Sequence, residues 1–357
     1  MNPIRRRLAW AGAAAVVAAG VVGVVVLTGG DDDPAADDDV PAPVEEAVFP
    51  LLGTTGDVPD RPALAVKIEN TAGGRPQTGL TGADVVFEEL VEGGLTRLLA
   101  VYHSDDPDTV GPVRSARSTD IDLLAELGRP LFAWSGANPT FAAAVRAADI
   151  VDVGADAAPD AYRRDDDRPA PYNLYASPEG LRSAGAEADP AAGPPPTLFE
   201  YRSPGAPPAD AADVEPVASY TSEGAAGLAT SVRWDWDADG GAWLRTQDGT
   251  PHVDDEGTRV SATNVVVRFT PYRDSGVRDS TGAVVPEAAA VGEGDAWLLT
   301  EGGLQRGRWH KPAPDAATTY TAADGEPLRL TPGTTWIEVL PPGTGDVVAA
   351  DADADQD

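Results

Sequence analysis

ELVEGGLTRLLAVYHSDDPDTVGPVRSARSTDIDLLAEL, residues 89–127, reads as strand, turn, strand, turn and helix, and it holds the one concentrated group of cations in a very acidic chain. Val85–Leu90 and Thr96–Tyr102 are apolar, β-branched-rich runs of strand length, and Glu92-Gly93-Gly94 between them is a turn signal. Asp105–Asp108 marks a second turn. VGPVR then leads into a helix in which Ile121, Leu124 and Leu127 recur at helical spacing. Thr119 followed by Asp122 resembles a capping box, and Gly128 with Pro130 supplies the stop. On this reading Arg97 falls on a buried or half-buried strand, and Arg114 and Arg117 fall beside a helix start. Unpaired backbone N–H groups and two guanidinium forks there make an anion site suited to phosphate or carboxylate. The same arginines can instead pair with Glu88, Glu89, Glu92 or Asp120 and only brace the fold.

Working outward, Ala63–Ile68 precedes this stretch as an early strand. Pro130–Trp134 follows it as another, Asn138 and Pro139 open a helix through Ala148 in N-cap and N1 order, and Ile150–Val153 returns as a strand. Strands alternating with helices predict an α/β (α+β) domain over 49–186, with sites at strand ends and helix starts. Ser177 and Pro178 signal a further helix. The loop before it carries Arg163, Arg164, Arg168 and Asn173, of which Arg164, Arg168 and Asn173 are candidates for a second set of ligand contacts. Their alternative is a solvated loop in which arginines pair with Asp165–Asp167. Residues 187–216, rich in Ala, Pro and Asp, read as a linker. Beyond it short strands with Gly-containing turns recur at Leu228–Trp236, Ala242–Arg245, Val265–Thr270, Ala296–Thr300 and Thr335–Leu340, which predicts a mostly antiparallel β domain over 217–341. Residues 342–357 form an acidic tail.

The ends and the composition bound the setting. Arg5–Arg7 lie in a basic stub, 1–7, before an apolar run over 8–28 that is long enough to cross a bilayer; the charge order keeps the stub cytoplasmic and the bulk of the chain outside. A cleaved signal peptide is the alternative reading of this run. An acidic spacer over 29–48 cannot form a core. A formal charge of -32 disfavours nucleic acid as a partner. The absence of cysteine excludes disulfides, thiolate metal sites, cysteine nucleophiles and lipid attachment through cysteine.

Metal and catalytic motifs are sparse. Asp235, Asp237, Asp239 and Gly240 match the opening of a calcium loop, but Thr246 stands where the bidentate Glu belongs, and the flanking Trp234, Trp236 and Trp243 fit a β-hairpin better. His103, His252 and His310 lack zinc spacing. Ser115 and Ser118 lack a nucleophile elbow or an S-x-x-K pair and read as helix-start residues. Glu88, Glu89 and Glu92 near Arg97, with Asp120, are hard oxygen groups that would hold Mg²⁺ against a pyrophosphate; Glu88, Glu89 and Asp120 are the candidate metal ligands. Their plain alternative is a strand's alternating face or ion pairs with the arginines.

IENTAGGRPQTGL, ADVVFEELVEGGLTRLLAVY, GPVRSARS and RPAPYNLYAS in the first half, with PHVDDEGTRVSATNVVVRF, GEGDAWLL and PGTTWIEVLP in the second, resemble the YerB family of bacterial surface proteins, a domain of unknown function with its own C-terminal partner domain. The resemblance covers about Phe49 to Pro341. Its members are typically lipoproteins, so it implies an extracytoplasmic, membrane-held protein, here anchored by the apolar run because the cysteine is missing. TRLLAVYHSDDPDTVGPVRSARSTD is also similar in layout to the core of the LytR-CpsA-Psr phosphotransferases. That similarity implies that Arg97 with Arg114 or Arg117 touches a polyprenyl pyrophosphate and that Asp120 is a metal ligand or base.

Three expectations follow from these readings. The first is a receptor, accessory to wall assembly, for a phosphorylated or carboxylated cell-wall component. The second is a metal-assisted phosphotransferase on a polyprenyl-pyrophosphate-linked precursor. The third is a scaffold that engages wall-synthesis proteins.

Overall fold

Continuous apolar runs make the inner strands β1 (Leu64–Glu69), β2 (Val85–Leu90) and β3 (Thr96–Tyr102), which are buried along almost their whole length. β2 turns antiparallel into β3 across Glu92–Gly94, where Gly93 and Gly94 take φ of 71° and 77°, a region that glycine enters without strain. β3 pairs antiparallel with β1 on its other side, and β1 runs parallel to β4 (Leu131–Ala133), which runs parallel to β5 (Val151–Asp152). The computed structural model describes residues 47–350 apart from 204–205, 207–213, 223–227 and 280–281. The stub at 1–7, the anchor at 8–28 and nearly all of the spacer lie outside the described residues, among which no helix is long and apolar enough to cross a membrane.

Helix α1 (Ser118–Leu124) buries Leu123 and Leu124 and continues as a 3₁₀ turn to Leu127. Its cap differs from the expected Thr119/Asp122 box. The Arg117 amide donates to Asp120 Oδ2 at 2.7 Å, so the box lies two residues earlier. The Thr119 hydroxyl is instead taken by the Ala288 amide, a contact from far along the chain. α2 (Pro139–Ala147) and α3 (Pro178–Ala188) start as expected, with the Asn138 and Ser177 side chains accepting from Thr140 N and Gly180 N.

The second half adds β6 (Glu215–Thr221), β7 (Val232–Asp237), β8 (Ala242–Gln247), β9 (Asn264–Phe269), β10 (Gly292–Thr300), β11 (Gly303–Lys311) and β12 (Thr335–Leu340). β7 and β8 form the hairpin expected around Asp237–Gly241, with Ala242 opposite Asp237. The long strands lie in the order β8-β7-β6-β11-β10-β9-β12-β2-β3-β1-β4-β5. β12 runs parallel to β9 on one side and to β2 on the other, so strands of both sequence halves share one sheet. The described residues belong to one compact unit. The protein is therefore mostly β-sheet with few helices and a β-rich second half. Strand–helix alternation of the α/β kind holds only from β4 through α2 to β5, because β1, β2 and β3 lie side by side.

Side-chain alternation divides the interior. One core gathers Leu64, Val66, Val86, Leu98, Trp234, Trp243 and Trp336, and the opposite face gathers Ala65, Val85, Phe87, Leu99, Leu123 and Phe132.

Candidate functional site

That alternation decides the fate of the expected metal ligands. Glu88 and Glu89 are consecutive on β2 and point to opposite faces. Glu88 joins the tryptophan side, where Arg245 Nη2 donates to both its oxygens at 2.9 and 2.8 Å, Thr96 Oγ1 donates at 2.7 Å and Trp336 Nε1 at 3.1 Å. Glu89 faces α1. There the fully buried Lys67 ammonium sits between the Glu89 and Asp120 carboxylates, 2.6 Å from Asp120 Oδ1. The structure thus separates Glu88 from the other two and puts a lysine where Mg²⁺ was expected. Burial pushes the Glu89 carboxyl up; Lys67 opposes this and Asp120 reinforces it.

The three arginines come together. Arg97, Arg114 and Arg117 line one cleft of about 700 Å³ with Glu92, Ser115, Asn138, Phe141, Pro171, Arg278 and Val285. Arg97 stands on β3 with Glu69 of β1 and Glu89 of β2 directly across on either side, yet it bonds to neither. Glu69 accepts from Arg114 Nε and from the amides of Asn70 and Thr71, and Glu89 is held by Lys67. Among the described residues the Arg97 side chain, in a residue 8 % exposed, has no ion pair, and its one hydrogen bond goes from Nη1 to the Ser115 carbonyl at 3.3 Å. Its Nε is buried without an acceptor. Burial, then Arg117 and Arg114, push the Arg97 guanidinium down to about 10, against the pull of Glu69 and Glu92, so it stays charged near neutral pH.

The neighbouring arginines are better provided for. Arg117 donates to Glu92 Oε2 at 2.8 Å and to the Ala116 carbonyl at 2.9 Å, and it shares the Ser115 carbonyl at 3.4 Å. Arg114 keeps its Nη groups clear of protein acceptors among the described residues, with its guanidinium carbon 5.9 Å from the centre of the Tyr172 ring. The expected contribution of the helix start is absent from this arrangement. α1 is only seven residues long, and the Arg117 amide before it is already capped by Asp120.

Arg164, Arg168 and Asn173 lie elsewhere. Arg164 Nη1 donates to Asn173 Oδ1 at 2.9 Å, which closes the pair on itself. Arg168 braces a loop by donating to the carbonyls of Gly73, Arg75 and Pro76, and it lines a different cleft of about 890 Å³ that also carries Asp254, Asp255 and Glu256. Among the described residues no cluster of His, Asp and Glu could hold a metal ion. Lys67 and Glu69 went unnoticed in the sequence. The signal available was a Lys and a Glu two residues apart on a strand with nothing but apolar neighbours, so that both must be buried and paired.

This mostly β fold is shared with known proteins. Residues 52–191 match the N-terminal domain and residues 225–337 the C-terminal domain of the family described as Protein of unknown function (DUF3048), and the chain belongs to that family. It is similar to "Putative lipoprotein YerB" of Bacillus subtilis (strain 168), with 28% identity over 307 residues, 85% of this chain and 88% of the relative. The crystal structure of Bacillus subtilis YerB has the same fold, with a TM-score of 0.73 at 24% identity, over 85% of this chain and 99% of that one. These matches support the YerB-like family and not the LytR-CpsA-Psr layout.

Proposed function

We propose that this chain is a membrane-associated protein of the cell surface that binds an anionic, phosphorylated or carboxylated wall component in the arginine cleft, as an accessory to wall assembly. The observation that carries the reading is Arg97. A buried guanidinium without a counter-anion costs several kcal/mol, and here two further guanidiniums add to that cost while both carboxylates across from it are engaged by other cations. A bound anion removes the penalty. In a chain of net charge -32 the distant field repels anions, so attraction must come from local charge-assisted contacts. The lipoprotein name of the Bacillus relative supports the membrane setting. In a chain without cysteine the apolar run over 8–28 takes the anchoring role, with the C-terminal bulk outside.

Calorimetry of the wild type and of Arg97→Leu against phosphorylated and carboxylated wall fragments tests this. The wild type should bind at least one class. Arg97→Leu should lose about 2 kcal/mol, roughly thirtyfold in affinity, while its thermal midpoint holds or rises, since a charge without a partner has been replaced by an apolar chain. Because Lys67 occupies the space between Glu89 and Asp120, chelating divalent ions should leave the affinity unchanged. A wild type that binds none of these anions, or a folded Arg97→Leu that binds them with unchanged affinity, would end the reading.

A further inference from the structure

We infer that the anion held in the cleft is a phosphodiester, gripped between the guanidinium ends of Arg97 and Arg114; this rests on the proposed function and narrows its ligand. The first argument is donor geometry. Arg97 commits only Nη1 to Ser115, and Arg114 commits only Nε to Glu69, so each presents a guanidinium edge that no described protein group accepts from. A carboxylate and a phosphodiester each offer two unsubstituted oxygens and accept from several donors, but those of the diester stand further apart about a tetrahedral phosphorus, which suits two guanidiniums approaching from different directions.

The second argument is charge. Glu69 balances Arg114, Glu92 balances Arg117 and Asp274 balances Arg278, which leaves Arg97 as the cation in this shell without an ion-paired carboxylate. Asp279 also lines the cleft. Four guanidiniums, Arg97, Arg114, Arg117 and Arg278, thus stand with four carboxylates, Glu69, Glu92, Asp274 and Asp279, so a ligand of low charge suits the site. A diphosphate would set its further charges against Glu69, Glu92 and Asp279, at distances where like charges cost energy. The third argument is the wall. The space of about 700 Å³ far exceeds one phosphoryl group, and Phe141, Pro139, Pro171 and Val285 give it apolar sides. Uncharged organic arms on the phosphorus would cover those sides.

The shared chemistry, an uncharged group on each side of one phosphate, could come from a soluble or polymeric diester or from a lipid headgroup. Titration of the full chain should compare glycerophosphoglycerol, inorganic pyrophosphate and acetate at one ionic strength, with co-sedimentation on phosphatidylglycerol vesicles alongside. The expected result is tighter binding of the diester than of the other two soluble ions. Arg97→Leu should weaken the diester by about tenfold or more, the scale of one charged hydrogen-bonded contact. Arg114→Lys, which keeps the charge beside Glu69 and loses the flat edge, should lose most of the same affinity while still unfolding cooperatively, so the inference stays open to test even if Arg97→Leu folds poorly. Binding of vesicles together with the soluble diester assigns the lipid as a source, and binding of the soluble diester alone assigns the other; either supports the inference provided Arg114→Lys loses it. Pyrophosphate or acetate binding more tightly than the diester overturns the phosphodiester and leaves the anion receptor standing. No binding of any probe overturns both.

Discussion

Lys67 carries the sharpest lesson at the scale of single residues. It lies in the middle of a strand whose six residues are all buried, and its ammonium is the cation that Glu89 and Asp120 were expected to share as a metal. Removing it while leaving both carboxylates buried should be costly: Lys67→Met is expected to lose about 3–5 kcal/mol of unfolding free energy, the range seen when one partner of a buried ion pair is deleted. Urea unfolding of the variant measures this, and a loss below about 1 kcal/mol would show that the two carboxylates simply take up a proton. The arginines were legible because three of them within a short run stand out in an acidic chain. Which of them lacked a carboxylate was not legible, since that depends on which strands flank β3. Glu69 adds a pH sign. Burial alone would raise its carboxyl, but Arg97 and Arg114 beside it and the Thr71 amide hold it below the usual 4.5, so its stabilising effect is present above that value and is lost as pH falls through the folded one.

Among the elements, β2, β3 and β12 fall at the residues their apolar runs predict, and α2 and α3 start where Asn138 with Pro139 and Ser177 with Pro178 place them. Local chemistry fixes such features: turn glycines, cap side chains and uninterrupted β-branched runs act within a few residues. The α1 cap was misplaced because a contact from Ala288 competes for Thr119, and no local pattern contains that information. The parallel pairing of β12 with β2 was likewise invisible, since it joins residues about 250 positions apart in a chain read from one end to the other. It has a consequence for fragments. A piece ending before β6 would expose the full edge of β2, with buried Glu88 deprived of Arg245 and Trp336, and should show no cooperative thermal transition, whereas the intact chain shows one. A sharp calorimetric transition from the fragment over 47–203 would instead establish that the first half folds alone.

Across the whole molecule, the join between halves is a buried polar network, and its titration can be worked out. β12 against β2 places Glu338 directly opposite Glu88, two carboxylates on one face, and of these two Arg245 bonds to Glu88. Burial first, then Glu88, push the Glu338 carboxyl above its usual 4.5, although Trp234 and Tyr220 donate to it at 2.7 and 2.8 Å. His252 lies at the other end. Its Nδ1 is 2.7 Å from Arg245 Nη1, a donor that never gives up its proton, so Nδ1 accepts and Nε2 donates to Gln77 Oε1 at 2.8 Å. Burial first, then Arg245, hold this neutral histidine well below its usual 6.5. The two groups act on stability with opposite signs. His252 gives stability above 6.5 that is lost as pH falls, because only the unfolded chain takes the proton, whereas Glu338 gives stability below 4.5 that is lost as pH rises, because only the folded chain keeps it. Between 4.5 and 6.5 the two slopes, each at most about 1.4 kcal/mol per pH unit, oppose each other. Relative to the wild type, His252→Gln should therefore tilt the profile so that stability falls more with rising pH across that window, and Glu338→Gln should tilt it the other way. Urea unfolding at half-unit steps of pH reads both, and two variants whose profiles run parallel to the wild type would show that neither group changes its proton on folding.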